Sequence, residues 1–161
     1  MRTNKGFTLA EMIAVIAILM FLALLSTPYV KRYIDDSYNA KAITYMRQLN
    51  EARMNFEKDY PGITIGGGET LTTCDVNSIY GQDSLFLEPS ILLACGYLKA
   101  ATDLEDRYTF QVGKGAKCDI CEKAGVKAVV SMEGLNGAGI YAGQCACMDS
   151  MNRVYKADAE D

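Results

Sequence analysis

Lys5-Gly6-Phe7-Thr8-Leu9-Ala10-Glu11, followed by the run from Met12 to Leu25, decides how this chain is built. The run holds fourteen residues, none of them charged. From Phe7 to Thr27 there are twenty-one residues with a single charge, Glu11. As a helix this segment spans roughly 30 Å, the thickness of bilayer hydrocarbon. A carboxylate in such a segment costs about 2.5–3.5 kcal/mol near the middle of a membrane helix, so an isolated one points to a function.

Working outward, the pattern beyond Pro28 turns amphipathic. Val30, Ile34, Tyr38, Ala42, Tyr45, Leu49, Ala52 and Phe56 recur at intervals of three and four, one face of a helix. Lys31–Asp35, Arg32–Asp36 and Arg47–Glu51 have the spacing of ion pairs on its other faces. Pro61-Gly62 stops the pattern. A helix from Phe7 to about Asp59 is roughly 80 Å long, whereas a small domain is about 30 Å across. Its first half therefore protrudes, into a membrane or a bundle of its own copies. Pro28 removes a backbone hydrogen bond, and a kink or loosened turn is expected at Leu24 to Pro28.

Gly6-Phe7-Thr8-Leu9-x-Glu11, with a short basic leader before it and an apolar helix behind it, resembles the type IV prepilin signature. Pilins of type IV pili and pseudopilins of type II secretion systems share that signature. The resemblance implies cleavage between Gly6 and Phe7 by a membrane-embedded prepilin peptidase, then N-methylation of Phe7. It implies that Glu11 helps a subunit enter the filament, and that Pro28 is the helix-bending proline of many relatives. Ala10 stands where isoleucine or valine is commonest. Cleavage exposes an amine on Phe7, four residues before Glu11 on one helix face. Glu11 can then meet that amine or a neighbour's, and a misplaced subunit leaves a buried charge unpaired. An ordinary secretory signal fits less well, because Leu24-Leu25-Ser26-Thr27-Pro28 holds no A-x-A pattern.

The resemblance divides the chain into a leader (1–6), a membrane and filament-core half-helix (7–28) and a pilin-like globular part (29–161). It places the leader in the cytoplasm and the rest outside. The charges flanking the helix, Arg2 and Lys5 against Lys31 and Arg32, are too balanced to orient it alone. Loss of the leader leaves 14 basic and 20 acidic residues, so nucleic acid is not indicated as a partner. The chain has no histidine, which removes histidine-based catalysis, and no other spacing implies a reaction or a cofactor.

Gly66-Gly67-Gly68 reads as a flexible connection, with no Lys-Ser or Lys-Thr behind it to make a phosphate loop. Leu71 to Leu98 reads as irregular around a short helix that starts near Pro89 and is capped by Gly96. Strands are expected at Arg107–Val112, Lys127–Met132, Ile140–Cys147 and Arg153–Tyr155. The fold class is α+β, with the second half of the long helix packed on a small antiparallel sheet.

Six cysteines, Cys74, Cys95, Cys118, Cys121, Cys145 and Cys147, all lie beyond the long helix. An even count on the exported side suggests disulfides, with fifteen pairings open. Cys74 and Cys95 can close a loop around the short helix. Cys118-x-x-Cys121, in a turn between strands, can face Cys145-x-Cys147, whose sulfurs share one side of an extended chain. A zinc site of these last four thiolates, or a redox C-x-x-C, are the alternatives. The resemblance implies a structural subunit of a type IV pilus, a homo-oligomer built by pilus assembly machinery from the bacterial inner membrane outward. A periplasmic type II secretion pseudopilin and a membrane-anchored zinc or thiol-redox domain are the other readings.

Overall fold

The computed structural model describes residues 8–71, 73, 74, 79, 84–113, 116–135, 138 and 143–156, with backbone alone at 67–69, 84 and 86. Gly6 and Phe7 lie outside the described residues, as do Ile140 to Ala142 of the third expected strand.

Helix α1 runs from Leu9 to Asp59, 51 residues and about 77 Å. Its N-terminal half stands clear of the rest of the chain. Ala42, Tyr45, Met46, Leu49, Ala52 and Phe56 of its C-terminal half are buried. The expected apolar stripe starts later than its spacing suggests: Val30 and Ile34 are exposed, and Asp35 is the first buried residue.

Strands β3 (Tyr108–Val112), β4 (Val130–Gly134), β5 (Cys145–Met148) and β6 (Val154–Lys156) form an antiparallel sheet in sequence order. The register pairs Phe110 with Met132 and Met132 with Ala146, and likewise Val112 with Val130 and Val130 with Met148. These residues share one face, and it packs on α1. The opposite face carries Cys145, Cys147 and Tyr155. A five-residue helix, Asp119–Lys123, covers it through a small cluster of Ala116, Cys118, Cys121, Ala128 and Cys147. The sheet is thus a middle layer between a long helix and a short one.

Three expectations are corrected. The Gly66–Gly68 segment is not a flexible connection but part of strand β1 (Thr64–Thr70), which pairs in parallel with β2 (Ser84–Phe86). Ile65 and Glu69 both align with Leu85, so the glycines form a bulge between them. The bulge admits a close approach: a Cβ added at Gly113 (φ +131°) would lie 2.7 Å from the Cα of Gly66. Cys118-x-x-Cys121 does not sit in a turn; Cys118 is the N-cap of the short helix and Cys121 lies inside it. Of the three expected i,i+4 ion pairs on α1, none forms. Asp35 bonds instead to Arg107, 72 residues away, because its side chain faces the sheet.

The short helix near Pro89 spans Pro89–Ala94, with proline at its first position. Gly96 (φ +77°) closes it: its amide donates to the Leu93 carbonyl at 3.0 Å, and the Tyr97 amide to the Leu92 carbonyl at 2.9 Å. This is the Schellman pair of bonds, which requires a left-handed residue and therefore favours glycine. We label the helices Pro89–Ala94 and Asp119–Lys123 α2 and α3.

Candidate functional site: the helix N-terminus and its junction with the head

The start of α1 is built by two side chains. Thr8 is the N-cap, with its hydroxyl oxygen accepting the Glu11 amide at 3.3 Å. The Glu11 carboxylate in turn accepts the Thr8 amide at 2.8 Å and the Thr8 hydroxyl at 2.9 Å. This reciprocal capping box satisfies amides that the first helical turn leaves without partners. It also lays the carboxylate against the positive end of the helix dipole. Thr8 escapes a search for apolar periodicity, yet its signal is the T-x-x-E spacing itself.

Beyond the cap, the apolar side chains from Leu9 to Ile34 are between 43% and 80% exposed. So much uncovered apolar surface is far beyond what a soluble monomer presents and marks a surface that is covered elsewhere. By length and composition α1 suits a membrane crossing. The helix continues without a break through Pro28. The Ser26 and Thr27 hydroxyls both donate to the Ala23 carbonyl, at 3.0 and 2.9 Å. With no amide on Pro28, the Leu24 carbonyl loses its usual helical partner, yet the helical assignment is unbroken from Leu9 to Asp59.

The head is tied to α1 where burial begins. Buried Asp35 accepts from an Arg107 guanidinium nitrogen at 3.2 Å, and that guanidinium lies 4.0 Å above the Tyr38 ring. One turn on, the Tyr108 hydroxyl donates to the Asn39 side-chain carbonyl. At the far end, Asn50 donates to Asn152 at 2.8 Å, in the turn between β5 and β6. Arg53 donates to Asn50 at 3.0 Å and pairs with Glu57 at 2.6 Å. Asn152 adopts φ +62°, a left-handed conformation that asparagine tolerates better than most residues. Buried Asp149 organises the same turn by accepting the Met151 and Arg153 amides, each at 2.9 Å, and Arg153 Nε at 2.7 Å. Burial pushes its pKa up, but those bonds outweigh it and hold the carboxyl below its usual range.

All six cysteines are bonded in pairs: Cys74–Cys95, Cys118–Cys145 and Cys121–Cys147. The first clips the C-cap of α2; the other two join α3 to β5. Sulfurs bonded in this way are not thiolates for a metal, and among the described residues no cluster of histidine, cysteine and carboxylate side chains is placed to hold one.

A long, apolar, projecting helix on a small antiparallel sheet is an α+β pilin-like fold. Residues 1–27 match the family model described as the prokaryotic N-terminal methylation motif, which is characteristic of type IV pilins and pseudopilins. The match ends before the head begins. No curated protein and no solved structure matches the chain.

Proposed function

We propose that this chain is a structural subunit of a type IV pilus. It enters the inner membrane with residues 1–6 as a leader and is cut between Gly6 and Phe7 by the prepilin peptidase. After methylation at Phe7 it polymerises through residues 7–28, and residues 29–161 form the exposed head. The observation that carries this reading is the methylation motif seated on a helix whose apolar residues, Leu9 to Ile34, the head leaves uncovered. Copies related by a screw operation would cover that surface along an open, non-closing assembly. Glu11 acts in assembly, and the disulfides stiffen a thin head outside the cell. A type II secretion pseudopilin would use the same helix in a short periplasmic filament; the cysteine-rich C-terminal region favours the pilus by resemblance.

Electron microscopy of sheared surface filaments, with intact-mass analysis of their main subunit, tests this. The expected subunit lacks Met1 to Gly6 and carries one methyl group on Phe7. Met1 retained in assembled material would overturn the processing scheme. A processed chain found only in short periplasmic filaments of secreting cells would favour the pseudopilin.

A further inference from the structure

We propose that, before assembly, the groove beneath the head holds the phosphate headgroup of an anionic phospholipid between Lys31 and Arg107. The proposal rests on the membrane-anchored reading of α1. The groove is an open space of about 800 Å³ along α1 from Ala23 to Asp35, to which the head contributes Arg107 among the described residues. Its height matches a membrane surface. From Leu9 to Tyr29 the helix rises about 30 Å, the hydrocarbon thickness, so Lys31 stands half a turn beyond the boundary. Tyr29 and Tyr33, both more than three-quarters exposed, flank that level as interfacial aromatics do.

The charges complement a phosphate. Lys31 makes no ion pair among the described residues. The carboxylate lining the groove, Asp35, is buried and turned to Arg107. Arg107 offers five donors, and its bond to Asp35 engages one guanidinium nitrogen. It is also held in place beforehand: its amide donates to the Leu104 carbonyl at 2.9 Å, and its carbonyl accepts the Leu135 amide at 2.7 Å. The Ser26 and Thr27 hydroxyls already donate to the backbone, so the two cations carry recognition. Exposed Val30 and Ile34 form an apolar wall against which glycerol and upper acyl carbons can lie.

The test uses the full-length chain in vesicles of phosphatidylcholine mixed with phosphatidylglycerol. Gentle detergent extraction and native mass spectrometry then identify the lipid retained. Phosphatidylglycerol is expected to be retained preferentially, and Lys31→Gln is expected to cut that preference roughly fivefold, as for one cation near a charged surface. Lys123→Gln, on exposed α3, is expected to leave it unchanged. Arg107→Gln strands Asp35 and can disturb folding, so Lys31→Gln decides the matter. A photocrosslinker replacing Val30 is expected to label lipid. Equal retention of the two lipids, an unaffected Lys31→Gln variant, complete displacement by soluble glycerol phosphate, or crosslinking to a second copy instead would each overturn the proposal. A chain that fails to sediment with either vesicle overturns the anchoring reading and this proposal together. Insertion without lipid selectivity overturns this proposal alone.

Discussion

Glu11 caps the helix in the structure and is proposed to pair with an amine in assembly, two roles that a single substitution confounds and a pair separates. As a capping residue it needs an acceptor oxygen, which glutamine keeps; as a charge partner for an amine it needs the carboxylate. Glu11→Ala removes both, whereas Glu11→Gln preserves the box with Thr8. We expect both variants to insert and be cleaved normally, and both to give a lower yield of sheared filaments. Filament yield restored by glutamine would mean that the cap, not the charge, is what assembly uses. Asp149 poses a simpler case. Its folded pKa is depressed, so it contributes stability above its unfolded value near 3.9. That contribution is lost as pH falls through the folded value. Replacing it by alanine strips charge-assisted bonds from the β5–β6 turn and should cost about 2 kcal/mol. Urea unfolding at neutral pH measures the cost. The gap between variant and parent should narrow on acidification below pH 4, and a gap that widens would contradict the assignment.

At the scale of elements, the attachment of α3 leans on its two disulfides. The fully buried part of its cluster is alanines and cysteines, and the larger apolar side chains packed against it, Ile120, Val126 and Tyr155, are only partly buried. The α1–sheet core, by contrast, holds Met46, Leu49, Phe56, Tyr108 and Met148, none dependent on a disulfide. Each bridge between α3 and β5 closes a loop of about 26 or 27 residues and should contribute about 2–4 kcal/mol. Reduction should therefore release residues 116–128 to proteolysis and hydrogen exchange while the amides of α1 from 42 to 56 stay protected. Simultaneous loss of protection in both regions would show one cooperative unit. Without reductant the cysteines should resist alkylation, and chelators should leave the fold intact; melting on chelation would revive a zinc site.

For the whole molecule, the question is whether the head needs the projecting half of α1. Burial begins at Asp35, and the contacts that dock α1 on the sheet all lie from there to Phe56. A chain beginning near Lys31 should fold alone, since it keeps the core face together with Asp35–Arg107 and Asn50–Asn152. Thermal unfolding followed by circular dichroism checks this. A cooperative transition is expected, and a helical signal that decays without one would mean that the upstream half is required.

The projecting helix, its stop and the α+β class follow from the sequence alone, because each depends on local chemistry. An uninterrupted apolar run is the right length for a bilayer, and Pro61-Gly62 cannot continue a helix; the T-x-x-E cap is equally local, but it emerged from the structure. The strands around Phe110, Val130, Cys147 and Tyr155 show the same locality through alternation, though their ends shift by up to three residues among the described positions. Tertiary structure decided the rest. Asp35 looks like a surface residue beside Lys31 until Arg107 arrives from the sheet and its pairing moves inward. Gly66–Gly68 looks like a linker until Gly113 needs to pass within a Cβ's distance of it. The cysteine pairing and the groove between Lys31 and Arg107 belong to the same class. Each joins residues distant in sequence, and no local periodicity encodes which partners the folded chain brings within reach.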